Sequence, residues 1–380
     1  MEITQDKLKS TFSFKRILIP IIIGVSFSAF SLIQSDFNFQ AIFSVQWSIT
    51  YLLLAVFMMI LRDLAYIIRL RILTGNTMSW RNGFQVVMLW EFASAVTPSM
   101  VGGSAFAIYF MNREGYNWGK STGIVMITAM LDELFYIVAV AFSLLILGNS
   151  LFDFGNIFGF DPKGYFYLGY SVIIFLTSVI FLGVFISPQG AKNLFSRIFS
   201  IKILKKWKSN VERIGDELIA TSNELKGKSI WYWLKAFLAT TFSWTARFFV
   251  LNFLILALNP DLGFEILEQL KIYAQQLVMW VIMLISPTPG ASGIAEVSFS
   301  VFFGDYFPDN AHAAVAVLWR SISYYPYLII GLLVLPIWIA RTEKLKIVKT
   351  IHDLTINTKQ KLNIVSKKKK NGSKTKRKYK

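Results

Sequence analysis

The stretch Ile285-Ser-Pro-Thr-Pro-Gly-Ala-Ser-Gly-Ile-Ala-Glu296 decides how the rest of the chain is read. It lies between two strongly apolar runs, Leu277–Ile285 and Val297–Phe303. Pro287 and Pro289 lack a backbone N–H, and Gly290 and Gly293 remove the penalty for non-helical dihedrals, so a helix cannot run through. A broken backbone at membrane depth is tolerated only where protein or a water-filled cavity surrounds it. The expectation is a chain organised around such a cavity.

Composition agrees with the membrane reading. Of the 380 residues, 54% are hydrophobic and 16% aromatic, and the mean hydropathy is +0.52. Several runs reach the roughly 20 apolar residues needed to cross the hydrocarbon. Cysteine is absent, which excludes disulfides, thiolate metal sites and Cys nucleophiles. His312 and His352 have no partners at metal-ligand spacing, so neither a metal nor another cofactor is expected. The net charge of +17 is concentrated at the C-terminus, where residues 341–380 hold fifteen Lys and Arg against Glu343 and Asp353. No aromatic platform is interleaved with these lysines. The tail therefore reads as a disordered cytoplasmic segment touching anionic lipid, not as a nucleic-acid binder.

Outward from the break, apolar runs and basic flanks order the topology. After a cytoplasmic N-terminus (1–14), the expected spans are Ile17–Ile33, Trp47–Ile68, Ser121–Leu147, Tyr165–Ile186, Trp231–Leu258 and Ala313–Ala340. The first is read as an uncleaved span, since no small-x-small cleavage site follows it. Arg62 and Asp63 read as an interfacial pair that snorkels at the inner end of the second span, before a basic patch of Arg69, Arg71 and Arg81. Residues 190–228 place lysines and arginines among Leu194, Ile198, Ile201 and Leu204, a pattern for amphipathic helices on the cytoplasmic surface.

Two apolar stretches remain, about 84–112 and 273–303. The first is broken at Ala95–Ser104 and has basic residues at both ends (Arg81; Arg113 and Lys120), so it reads as a re-entrant hairpin dipping in from the cytoplasm. A cytoplasmic basic tail then requires the second to enter and leave on the outer face. The fold expected is an all-α polytopic membrane domain over 15–340: six full spans, two oppositely oriented re-entrant hairpins, and both termini cytoplasmic.

The two breaks resemble one another. Thr97-Pro98-Ser99-Met100-Val101-Gly102 aligns with Thr288-Pro289-Gly290-Ala291-Ser292-Gly293 at Thr-Pro and at the Gly four residues later. Similar broken segments in opposed halves point to an inverted repeat and to its binding site. Half-helices beginning near Gly102 and Gly293 would direct unpaired N–H groups at an anion. The alternative for these small residues is a tight helix crossing.

Charged residues within the spans complete the pattern. Glu91, Asp132, Glu133, Arg247, Glu296 and Arg320 each cost about 2.5–3.5 kcal/mol or more against lipid, so they face the interior and pair or line a cavity. Arg320, Ser323, Tyr324 and Tyr327 follow i, i+3, i+4, i+7 and make a polar stripe on the last span. Arginine clamps phosphate, while the acids can pair with it, relay protons or bind a cationic headgroup.

Ser286–Glu296 resembles the TPGG-x-G-x-x-E signature of the flippase-like transmembrane domain of bacterial lysylphosphatidylglycerol synthases. Thr97–Gly103 resembles that family's first P-x-x-x-G-(G/E) hairpin, and Asp132 falls where the family usually has Asp-Arg. The resemblance covers about residues 10–345. Glu133 stands in place of the usual Arg, and Ala291 replaces the second Gly. The resemblance implies the translocating half without the soluble synthetic half. The function expected is a lipid translocase of a bacterial inner membrane, not an enzyme, moving a phospholipid or other phosphate-linked lipid. No Walker motif, Ser-His pair or HExxH box appears. A membrane-embedded enzyme acting on lipid phosphate and a non-transporting scaffold are the alternatives, and an oligomer is compatible with either. The residues placed at the substrate site are Glu91, Thr97, Pro98, Gly102, Gly103, Asp132, Glu133, Arg247, Pro287, Pro289, Gly290, Gly293, Glu296, Arg320 and Tyr324.

Overall fold

Every ordered element described is a helix. A computed structural model of the chain describes residues 47–97, 99–152, 162–201, 205, 208–284, 291, 294–307 and 312–343. The expected first span at Ile17–Ile33, Pro98, most of the second break (Pro287, Pro289, Gly290, Gly293) and the basic tail from 344 onward lie outside them. The helices are α1 (Ile49–Leu73), α2 (Trp80–Val96), α3 (Ser99–Arg113), α4 (Trp118–Leu147), α5 (Pro162–Phe181), α6 (Pro188–Ile198), α7 (Lys208–Lys226), α8 (Ile230–Leu258), α9 (Ile266–Leu284), α10 (Ile294–Phe303), α11 (His312–Ser323) and α12 (325–343).

Five helical stretches are long and apolar enough to cross a bilayer: Ile49–Leu73, Trp118–Phe152, Lys163–Ile186, Ile230–Leu258 and Val315–Glu343. They coincide with five of the six expected spans. One boundary is corrected. The second span does not end at Ile68 but continues to Leu73, which places Arg69 and Arg71 on the helix itself.

Local chemistry sets where these helices begin and break. Ser79, Asn117 and Ser229 cap α2, α4 and α8, each side chain accepting from the backbone N–H three residues on. Thr97 closes α2 in an extended conformation (φ −105°, ψ 141°), as the residue before a proline must. Pro326 cannot donate to the carbonyl four residues back, and the helix is interrupted at Tyr324, between α11 and α12.

Residues up to Gly331 form one compact unit, and the segment from Leu332 is a second, of which 332–343 are helical. Within the first unit, α8 is central. It packs extensively along α1, and 67% of its most apolar window is buried, against 17% for the span containing α5, which faces outward. The apolar core gathers Phe135, Leu251, Ile255, Leu277, Phe299 and Phe303 from α4, α8, α9 and α10.

The amphipathic stretch forms α6 and α7. Glu217 on α7 accepts from the Gly119 N–H at 2.8 Å, and Lys120 pairs with Glu224 at 3.2 Å, so α7 is braced on the first turn of α4. Gly119 is required there, since a Cβ would collide with the Glu217 main chain.

The sequence-matched breaks are built from shorter helices. The helices α2 and α3 pack against each other, and a Cβ at Gly103 would collide with Ser94. The helix following this break begins at Ser99 and not near Gly102, because a helix tolerates glycine in its first turns once the proline has been passed. Gly102 and Gly103 therefore lie inside α3, and Gly103 serves the close helix approach.

A charged cavity between the helices

A cavity of about 280 Å³ lies among α1, α2, α4, α8, α9 and α11 and the two break regions. Helix α1 brings Arg62, Tyr66 and Arg69 to it, at i, i+4 and i+7 on one face.

Arg62 is 4% exposed. Its guanidinium donates to Asp63 at 2.8 Å, to the Tyr327 hydroxyl at 3.0 Å and to Glu91 of α2 at 2.5 Å. The Tyr327 hydroxyl in turn donates to Asp63 at 2.6 Å. Arg62 and Asp63 thus do not snorkel at an interface, because Glu91 and Tyr327 give them buried partners.

Arg69 is 1% exposed. It pairs with Asp132 of α4 and donates to the Thr240 hydroxyl at 3.1 Å, and its plane lies 4.2 Å from the Tyr66 ring centre. Asp132 also accepts from the Trp244 indole N–H at 2.7 Å. Arg69 was assigned from sequence to a cytoplasmic basic patch. It is instead a buried member of the cavity.

Arg247 of α8 is held differently. The nearest carboxylate oxygen among the described residues belongs to Glu91, 3.7 Å away, outside hydrogen-bonding range. Its guanidinium sits 5.5 Å and 5.0 Å from the rings of Trp244 and Trp280. Arg320 stacks on Tyr324 at 3.7 Å, and the Tyr324 hydroxyl donates to the Ala95 carbonyl at the end of α2.

Of the residues expected at the site, Glu91, Thr97, Asp132, Glu133, Arg247, Arg320 and Tyr324 line this cavity, as do Ser323 and Tyr327 of the same polar stripe. Gly103 does not line it. Gly102 lies on α3 and Glu296 on α10. Pro98, Pro287, Pro289, Gly290 and Gly293 lie outside the described residues. Ala291, from the second break, lines the cavity with φ +54°, the conformation its counterpart glycine adopts without strain. Sequence reasoning missed Arg62, Tyr66, Arg69, Trp244 and Trp280 as lining residues. The signal for the first three was present in their helical spacing, whereas Trp244 and Trp280 read as ordinary apolar core.

The cavity walls are therefore charged and aromatic, on helices that include four of the five long and apolar enough to cross a membrane, and no group of three metal-ligating side chains occurs among the described residues. What fold and site define is a polytopic helical membrane protein with a polar chamber between its spans. The chain belongs to the lysylphosphatidylglycerol synthase TM region family, which it matches over residues 17–331. It is also similar to a UPF0104 membrane protein of Archaeoglobus fulgidus, 25% identical over 321 residues that cover 83% of this chain and 94% of that one.

Proposed function

We propose that this protein is a lipid translocase. A polar headgroup enters the chamber while the acyl chains remain in the bilayer, and the headgroup passes between leaflets. The observation that carries this reading is Arg247: a cation inside the longest-buried span, walled by two indoles, with no carboxylate closer than 3.7 Å among the described residues. Burying charge in hydrocarbon is expensive, and intramembrane ionisable groups mark substrate pathways. Phosphate is the ligand a guanidinium binds best. Family membership supports the same reading, since the match is to the transmembrane region of a lipid-modifying protein's family.

The topology belonging to this proposal is six spans and two re-entrant hairpins in inverted orientation, with α2–α3 as one hairpin and α9–α10 as the other. Positive charge at Arg81, Arg113 and Lys120 supports a cytoplasmic position for the ends of the first hairpin, as the lysine tail does for the C-terminus. The setting is a bacterial cytoplasmic membrane, with the tail against anionic lipid. The chamber moves lipid without chemically changing it.

The experiment is reconstitution of the full chain in vesicles containing a trace of acyl-chain-labelled phospholipid, followed by chemical quenching of the outer leaflet. Protein-dependent access to the inner-leaflet label is expected, and Arg247→Ala is expected to slow it by about tenfold or more. Chemical turnover of the lipid phosphate without movement would replace transport by an enzyme. Neither movement nor turnover, with normal recruitment of partners through the tail, would leave a scaffold.

A further inference from the structure

Two polar groups on one face of α4 line the cavity without a hydrogen-bond partner among the described residues: Glu133 Oε2 and the Tyr136 hydroxyl. They stand three residues apart, one helical turn. Tyr136 is 2% exposed, and a buried polar atom without a partner calls for an explanation, of which a bound group is one. The neighbouring acids are already engaged. Asp132 is taken by Arg69 and Trp244, and Glu91 by Arg62. Glu133 shares neither set of partners.

Tyr136 also faces the indoles that wall Arg247. Its ring lies 5.2 Å from Trp244 and 6.3 Å from Trp280. A carboxylate, a phenol and a guanidinium, all with unfilled hydrogen-bonding capacity, thus border one chamber around the same two tryptophans.

We infer that these residues form a headgroup subsite with two ends. Arg247 and the Tyr136 hydroxyl take a phosphate, and Glu133 takes a primary ammonium. The inference rests on the translocase reading and names its cargo: a zwitterionic phospholipid whose phosphate and amine are joined by a short linker, such as an ethanolamine headgroup. A purely anionic headgroup leaves the Glu133 carboxylate facing like charge, which selects against it. A chamber of about 280 Å³ suits one compact headgroup.

The test uses the full chain in vesicles with acyl-chain-labelled phosphatidylethanolamine or, separately, phosphatidylglycerol. The wild-type protein is expected to move the ethanolamine lipid faster. The near-isosteric Glu133→Gln is expected to slow it at least about tenfold more than the glycerol lipid, and Glu133→Arg to reverse the preference. Equal slowing of both lipids would make Glu133 a structural group and overturn the inference while leaving translocation standing. A second measurement covers the case in which neither lipid moves and the translocase reading itself fails. Ethanolamine lipid added to detergent-purified protein should raise the unfolding midpoint of the wild type more than that of Glu133→Gln. An equal rise in both overturns the subsite.

Discussion

Arg69 and Arg247 are the same residue type on two helices that pack along one another, α1 and α8, yet their surroundings are opposite. Arg69 is closed: Asp132, Thr240 and the Tyr66 face occupy it, and its side chain is 2% exposed. Arg247 is open: its side chain is 20% exposed and its nearest carboxylate among the described residues is already hydrogen-bonded to Arg62. A buried arginine paired with a carboxylate of α4 and a hydroxyl of α8 fixes those helices in register. One held mainly by flat aromatic faces keeps its donors for something else.

Breaking the closed side should produce the largest effect. Asp132→Ala leaves Arg69 buried without its countercharge and also removes the acceptor of the Trp244 indole. A loss of about 3–5 kcal/mol is expected, the range for uncoupling a buried pair. It would be read as a fall in the unfolding midpoint in detergent; a change below about 1 kcal/mol would show that Arg69 is not held by this pair. On the open side, Arg247→Ala should cost only about 1 kcal/mol of stability, because a 3.7 Å partly exposed pair contributes little. The same variant should slow lipid movement by about tenfold or more, so the two readouts separate. A stability loss matching that of Asp132→Ala would erase the distinction between the two arginines. The smallest effect concerns the second break. Ala291 holds φ +54° with a Cβ, and Ala291→Gly should relieve that strain by up to about 1 kcal/mol, offset in part by the freer unfolded chain. The midpoint should rise slightly, and a clear fall would mean that the methyl group packs in the cavity.

The contrast also explains what could be read before any coordinates. Span-length apolar runs with basic flanks are a one-dimensional signal, and Trp118–Phe152 or Ile230–Leu258 needed nothing more. Pro98 acts on its own neighbour, so the break at Thr97 was equally local, whereas the last span was read as continuous and is interrupted at Tyr324, before Pro326. The polar stripe on the last span was legible because Arg320, Ser323, Tyr324 and Tyr327 repeat with the helix. The stripe on α1 obeys the same period. It was passed over because Arg69 sits two residues before another arginine and so resembles an interfacial cluster. Which acid answers which arginine is not a local property. Asp132 meets Arg69 across 63 positions of chain, and Tyr327 meets Arg62 across 265. Nothing in either neighbourhood announces the other.

One consequence follows from the charges described around the chamber. Arg62, Arg69, Arg247 and Arg320 are matched in number by Asp63, Glu91, Asp132 and Glu133. In ionised form these eight groups of the described residues sum to zero, so a uniform transmembrane field exerts no net force on them as a set. A headgroup with one net charge costs or yields about 2.3 kcal/mol per 100 mV in crossing, and one with balanced charges is indifferent to the potential.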